Sequence, residues 1–253
     1  MPPPSEQSQP DFDEVRRKAD EFARHAYPDV VARIERPRSG LDVHAPMDLA
    51  TVDKLLTTTR TVRKRLDLTR SVDPEIIQTC LEIAIQAPTG GNIPRYHFMV
   101  VTDAAKRADL AALYKRAYFE VYSPQRQAEV SQSDPRLIES ATYLAEHMHE
   151  VPVLIIPSVE APSVQGTGPG AYASILPATW SLMLALRARG VGSAWTTLHL
   201  RYEQEAVALL GIPEGIRQAA LLPVAYYTGE DFKPAKRVPA SERTYWNGWG
   251  QTR

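Results

Sequence analysis

Between Ala171 and Arg189 the chain carries Ile175, Leu176, Ala178, Trp180, Leu182, Met183, Leu184, Ala185 and Leu186, a helix-length run with almost no polar face. A helix that is apolar all round has to be covered all round. The run from Ile175 to Leu186 is broken by Pro177, Thr179 and Ser181 and is too short to span a bilayer, so the cover must be protein. Two arrangements provide it in 253 residues, a length that fits one large domain or two small ones. Either the helix runs through a monomer core or it lies between two subunits, and the second is favoured.

The rest of the chain divides at about residue 48. Residues 1–10 are rich in Pro, Ser and Gln and read as disordered. Phe12, Val15, Ala19, Phe22 and Ala26 recur at helical spacing up to Pro28, a turn follows near Val30 to Ile34, and Pro37-Arg38-Ser39-Gly40 reads as a linker. Residues 1–47 are thus an appended arm, and 48–253 are the main domain with its C-terminal tail. In that domain the spacing predicts helices over Leu49–Leu56, from Asp73-Pro74 to Ala87, from Asp103 to Tyr118, over Arg136–Glu150, Ala171–Arg189 and Glu203–Leu210. Strands are expected at His97–Val101, Val151–Ile156 and Ala219–Tyr227, with Gly192–Leu198 a strand or extended loop. Ser123 to Pro135 reads as polar loop, and Pro152 hints at the first residues of its strand or at an edge. Helices do not always separate strands singly, which suits a mixed α+β layer fold.

Charge excludes some partners. Lys plus Arg (29) nearly cancels Asp plus Glu (30), so nothing global points to nucleic acid or an anionic membrane. A single cysteine, Cys80, rules out an intrachain disulfide and multi-cysteine metal sites. Met1-Pro2-Pro3-Pro4-Ser5-Glu6 lacks the basic and apolar regions of a secretory signal, so a cytoplasmic location is expected.

Four segments could carry chemistry. Arg60-Thr61-Val62-Arg63-Lys64-Arg65 is a local positive excess in which Arg60 and Arg63 could converge on an anion, or a solvated basic face. Ala87-Pro88-Thr89-Gly90-Gly91-Asn92-Ile93-Pro94 could bring backbone N–H groups to a ligand, or be a plain turn. Trp195-Thr196-Thr197-Leu198 follows Gly190-Val191-Gly192-Ser193, and Lys236-Arg237-Val238-Pro239 is a second basic site. Weaker features are set aside. Gly166, Gly168 and Gly170 lack the dinucleotide-binding spacing and read as a loop over the site. His147 and His149 point to different helix faces, so no metal site is expected. Cys80 reads as a core filler. Tyr245-Trp246-Asn247-Gly248-Trp249 could clamp a partner or anchor the tail, and anchoring is favoured.

Together these segments resemble the flavin-dependent nitroreductase family. Thr59-Arg60-Thr61-Val62-Arg63 is similar to its Arg-Arg-Ser-x-Arg segment, and Ala87 to Asn92 to its Ala-Pro-Ser-x-x-Asn loop. Tyr96 to Val101 matches its aromatic-containing strand, and Arg189 to Thr197 the Gly-x-Gly and Trp turn after its interface helix. Lys236-Arg237-Val238-Pro239 matches a late Lys-x-Arg-x-Pro in part. The order holds over about residues 48–249. Thr59, Ala235, Thr197 and Ile93-Pro94-Arg95-Tyr96 depart from the pattern, which bears on substrate more than cofactor.

The resemblance implies a three-layer α/β/α fold with a central mixed, mostly antiparallel sheet in an intertwined homodimer, with FMN at the subunit interface. Arg60, Thr61, Arg63 and Arg237, helped by Lys236, would hold the phosphate and ribityl chain. Asn92 would meet the pyrimidine edge, and Pro88, Thr89 and Gly90 of the neighbouring subunit would cover the ring. Trp195 to Leu198 would line the flavin, with the Thr196–Leu198 backbone donating to N5. Arg63, Thr196 and Thr197 would tune the flavin, which does the chemistry itself. The implied activity is a ping-pong transfer of hydride from NAD(P)H to a small electron-poor acceptor, a nitroaromatic or quinone. Reductive dehalogenation and non-catalytic flavin binding are the rival readings.

Overall fold

The computed structural model describes residues 45–161, 169–230 and 232–253, together with Glu14, Arg17, Lys18, Glu21 and His25. The chain divides into two units, Met1–Met47 and Asp48–Arg253. In the first unit the five isolated described residues are helical, and Lys18 pairs with Glu14 at 2.7 Å one turn away. The apolar positions Phe12, Val15, Ala19, Phe22 and Ala26, the turn near Val30 and Gly166 and Gly168 lie outside the described residues.

In the second unit, short polar side chains start most helices. Asp48, Asp73, Asp103, Ser123 and Asp134 each accept a hydrogen bond from a first-turn backbone N–H, opening α1 (Leu49–Thr58), α2 (Pro74–Ala84), α3 (Ala104–Val121), α4 (Pro124–Ser133) and α5 (Pro135–His147). Pro74, Pro124 and Pro135 occupy first-turn positions where the missing N–H costs nothing. The expected loop Ser123–Pro135 is therefore the helix α4. Its sequence is polar because it buries no residue, and its signals are the paired caps at Ser123 and Asp134.

The described strands form one sheet: β1 (Tyr96–Val101), β2 (Val153–Glu160), β3 (Val191–Ser193), β4 (Ile216–Gln218) and β5 (Leu222–Tyr226), in the order β1-β2-β5-β3 with β4 also on β2. These pairings are antiparallel, and one parallel bridge joins Thr61 to Ser193. Pro152 precedes β2 rather than marking an edge, since β2 is paired on both sides. Its alternate residues feed two cores. Leu154 and Ile156 pack with Leu110, Tyr114 and Tyr118 of α3 and Leu144 of α5. Val153 and Ile155 pack with Ile77 and Cys80 of α2 and Leu182, Met183 and Leu186 of α6 (Pro169–Arg187). A strand buried on both faces reads as a continuous apolar run, as here.

The helix α6 is covered only in part. Ile175, Ala178, Leu182 and Leu186 are fully buried, while Leu176 and Trp180 remain 37% and 39% exposed. No helix among the described residues is long and apolar enough to cross a membrane.

At Gly192 of β3 a side chain would meet Val62 at 3.1 Å, so glycine is what lets residues 60–63 lie against this strand. Gly192→Ala is expected to destabilise the protein by about 1–3 kcal/mol through overpacking. Combining it with Val62→Ala should recover part of that loss relative to the sum of the single changes, as measured by urea unfolding.

Candidate functional site

The segment Arg60–Arg63 is strapped to the sheet edge by one backbone bond, Val62 N–H to the Ser193 carbonyl at 2.9 Å. Val62 turns into the core, and its neighbours Thr61 and Arg63 face away from it. The Arg63 Nη1 donates to the Ser140 hydroxyl of α5 at 3.3 Å. The Arg60 guanidinium donates at 2.9 Å to each of three carbonyls, those of Thr57, Thr59 and Lys233. It thereby closes the end of α1 and holds the start of the C-terminal tail beside the same segment. Lys236 and Arg237 follow three and four residues later and are exposed. Among the described residues neither meets a carboxylate.

Beyond β3, the register Ser193↔Val224 continues to Thr196↔Leu221. Thr196 N–H donates to the Leu221 carbonyl at 3.1 Å, and the Thr196 carbonyl accepts from Leu221 N–H at 2.8 Å. Five residue steps separate Val153 from Ser158 on β2, whereas six separate their partners Val224 and Gln218. The extra residue is a bulge at Ala219–Leu221 relative to β2, while the pairing with Thr196 keeps the β3/β5 register. This pairing occupies the Thr196 amide, whereas the Thr197 amide has no acceptor among the described residues. The amides left for a ligand in this segment are therefore those of Thr197 and Leu198 rather than Thr196.

Arg63 and Trp195 to Leu198 meet in a cavity of about 220 Å3 closed by α3 and α5. Sequence reasoning missed its far wall, Tyr114 and Tyr118 of α3 and its C-cap Tyr122, which recur at every fourth residue. That spacing was visible, but it is also what a plain core stripe looks like. Burial raises the pKa of Tyr114, and its hydroxyl bonds Thr196. Tyr118 bonds Thr142 at 2.8 Å, and its ring stacks on Tyr122 at 5.1 Å.

The loop Pro88–Asn92 is not part of this cavity. Gly90 N–H donates to the Ser174 hydroxyl of α6 at 3.0 Å, and Gly91 and Asn92 take positive φ of 62° and 57°. Asparagine is one of the few side chains that tolerates such a backbone. The loop is anchored on the α2/α6 face, whereas Arg63 and the tyrosines sit on the α3/α5 face, with the sheet between. One chain thus unites Arg60, Thr61, Arg63, Trp195, Thr196, Thr197 and Leu198, brings the tail with Lys236 and Arg237 toward them, and leaves Pro88, Thr89, Gly90 and Asn92 elsewhere.

The other candidates are now placed. Cys80 is fully buried in the α2/α6 core, and burial raises its pKa. His147 pairs with Glu150 at 2.5 Å, and among the described residues no group of three or more His, Cys, Asp or Glu could hold a metal. Tyr245 lies against Trp249 at 4.6 Å, but Trp249 is 91% exposed, so its own chain does not anchor it.

His199, next to Leu198, is fully buried. Its Nε2–H donates to the Gln218 side-chain carbonyl at 3.2 Å, and its Nδ1 has no partner. Gln218 N–H in turn donates to Glu203 at 2.8 Å, and Glu203 pairs with Arg217 at 2.8 Å. Desolvation lowers the His199 pKa to about 4, against a partial offset from Gln218.

Comparison with known proteins gives the family and the fold. Residues 56–226 match the model of the nitroreductase family. A protein of Archaeoglobus fulgidus, named for an expected NADH dehydrogenase/NAD(P)H nitroreductase activity, is 26% identical over 200 residues, covering 78% of this chain and 97% of its own length. Among solved structures, iodotyrosine deiodinase bound to FMN and 3-iodo-L-tyrosine superposes with a TM-score of 0.62 at 22% identity, covering 78% of this chain and 100% of that one. An FMN- and NADPH-dependent nitroreductase from Sphigopyxis sp. strain HMH gives 0.60 at 21% identity, covering 78% and 99%.

The depressed pKa of His199 has a consequence for stability. The unfolded chain takes up this proton near pH 6.5 and the folded chain only near pH 4, so the unfolded state is favoured progressively as pH falls between those values. Relative to His199→Gln, the native protein should lose about 3 kcal/mol of stability between pH 7 and pH 4. Denaturant midpoints of both proteins across that range measure it.

Proposed function

We propose that this chain, which belongs to the nitroreductase family, is an FMN-dependent oxidoreductase that works in a ping-pong cycle from NAD(P)H to a small electron-poor acceptor. Bound FMN would supply the hydride relay between the two substrates. The observation that carries this reading is that Arg63, the Thr196–Leu198 segment and the approach of the Lys236–Arg237 tail converge at one edge of the sheet.

The residues present suit the cofactor. Lys236 and Arg237 are cations without a carboxylate partner among the described residues, which fits a phosphate dianion and its need for charge-assisted bonds. Arg60 orders the tail so that they can reach it, and Thr61 adds a hydroxyl. Arg63, at the cavity, places positive charge where the reduced ring would carry negative charge. The Thr197 and Leu198 amides are the free donors for N5, held in place by the Thr196–Leu221 pairing.

Pro88, Thr89, Gly90 and Asn92 complete the site from a second copy of the chain. Two features support this: the loop cannot reach the cavity through its own sheet, and the uncovered Leu176 and Trp180 lie on the helix that anchors the loop.

Two variants test the assignment. Arg237→Ala should weaken FMN binding roughly ten- to hundredfold, the effect of losing one charge-assisted contact of about 1.5–3 kcal/mol. Fluorescence titration with FMN measures it, and unchanged affinity would show the tail to be misassigned. Trp180→Glu leaves the chain's own core intact, since Trp180 is 39% exposed and not among the buried core residues, but would place an unpaired carboxylate at the subunit contact. It should yield a folded, colourless monomer by light scattering and flavin absorbance. A folded monomer that stays yellow contradicts the shared site.

A further inference from the structure

We propose that Arg65 is a positioning residue for the cofactor: its guanidinium fixes the root of the C-terminal tail, and through it the Lys236–Arg237 pair that holds the phosphate. The inference rests on the flavoprotein reading and concerns only the phosphate end of that site.

The tail is laid back along the basic segment. Asp67 N–H donates to the Tyr226 carbonyl at 2.7 Å, Leu66 bridges Tyr227 in antiparallel sense, and Thr228 N–H donates to the Arg65 carbonyl at 2.8 Å. Beyond this ladder the Arg65 side chain takes over. Its Nε–H donates to the Thr228 carbonyl at 2.6 Å, and its Nη2 donates to the Glu230 carbonyl. The guanidinium lies 4.1 Å from the centre of the Phe232 ring, which packs on the α3/α5 core. Gly229 bends the chain with a φ of 78°, and a side chain there would meet Arg65 at 3.3 Å. Thr228, Gly229, Glu230 and Phe232 thus surround one guanidinium before Lys233 meets Arg60 through a single bond.

Arginine suits this task and lysine does not. A planar fork can aim two N–H groups within its plane while its face stacks on a ring. Arg187 lies over the same Phe232 ring at 5.2 Å and donates to the Tyr227 hydroxyl at 2.6 Å, so the rings flanking the bend are themselves fixed. Tether length then sets what the clamp does for the tail cations. With the tail held at Lys233, Lys236 is three residues from a fixed point; with only the ladder left, at Thr228, it is eight. Effective concentration falls as about the −3/2 power of tether length, so this lengthening dilutes the two cations roughly fourfold at the phosphate. The single Arg60 bond does not by itself hold that length of chain against its conformational entropy.

The test compares FMN with riboflavin, which shares the ring and lacks the phosphate, by fluorescence titration of the native protein and its variants. Arg65→Ala should weaken FMN binding about four- to tenfold and leave riboflavin within about twofold. A residue that merely supports the fold lowers both affinities or neither, so an unchanged ratio between them would overturn the proposal. In a chain already carrying Lys236→Ala and Arg237→Ala, adding Arg65→Ala should change FMN affinity by less than about twofold. A full further loss there would place Arg65 on the phosphate directly and would also overturn it. Trypsin cleavage after Lys236 or Arg237, followed without flavin, should quicken severalfold in Arg65→Ala. An unchanged rate would show that the tail does not depend on the clamp. Should Arg65→Ala fail to fold by circular dichroism, Arg65→Lys replaces it, keeping the charge and losing the fork, and a severalfold loss for FMN alone is expected. Native FMN affinity in that variant would show a charge effect rather than a clamp, against the proposal. If the native protein takes up no FMN, the flavoprotein reading fails and takes the proposal with it. If FMN binds and the ratio in Arg65→Ala stays unchanged, the proposal fails alone.

Discussion

The bond from Val62 N–H to the Ser193 carbonyl is the contact through which the candidate site is held to the fold. It joins a segment of high positive charge to the edge of an apolar sheet, two partners that would otherwise separate. The approach needs a strand residue without a side chain, and Gly192 provides it against Val62. With Val62 locked inward, the alternation of an extended chain turns its neighbours away from the core, and Arg63 reaches α5. The same strand continues to Thr196, so the position of the arginine and the position of the loop backbone are set by one ladder.

Polar burial near the site follows a different logic. Thr196 is satisfied by Leu221 and Tyr114, and Gln218 and Glu203 satisfy one another through backbone and side chain. His199 and Arg217 depart from this, each with one buried nitrogen unpaired, and of the two His199 is fully buried. An orphan of this kind costs about 1–3 kcal/mol. The cost is smallest when the ring is neutral, which agrees with a pKa held low. The histidine thus acts as a fixed neutral wedge behind the loop rather than as a proton carrier.

Much of this was legible beforehand. The helix starts at Asp73, Asp103 and Glu203 and the buried run Val153–Ile156 could be read because caps and apolar periods act locally. The helix α4 could not, since it buries nothing and its stability comes from caps rather than a stripe. The bulge at Ala219–Leu221 was hidden inside a run that reads as one strand, because a register shift belongs to a pair of strands and not to either alone. In the site, the basic and loop motifs were legible as residue types. That Arg60 would be spent on carbonyls, and that the Thr196 amide would be occupied, depended on partners as distant in sequence as Lys233 and Leu221.

The apolar helix α6 sets a quantitative demand on the proposed dimer. In a two-fold contact each residue counts twice, so burying the exposed parts of Leu176 and Trp180 contributes at most about 6–12 kcal/mol before any cost. Association itself costs about 4–15 kcal/mol, so this stripe alone leaves a marginal dimer. Further apolar surface must join it. The tail offers that surface, with Val238 at 50%, Trp246 at 44% and Trp249 at 91% exposure in the single chain. A tail that carries Lys236 and Arg237 toward the cofactor and its aromatic end onto a second subunit would tie phosphate binding to assembly through one stretch of backbone. In the proposed dimer the stripe and the tail would act together, which would make loss of flavin and loss of the dimer one event rather than two.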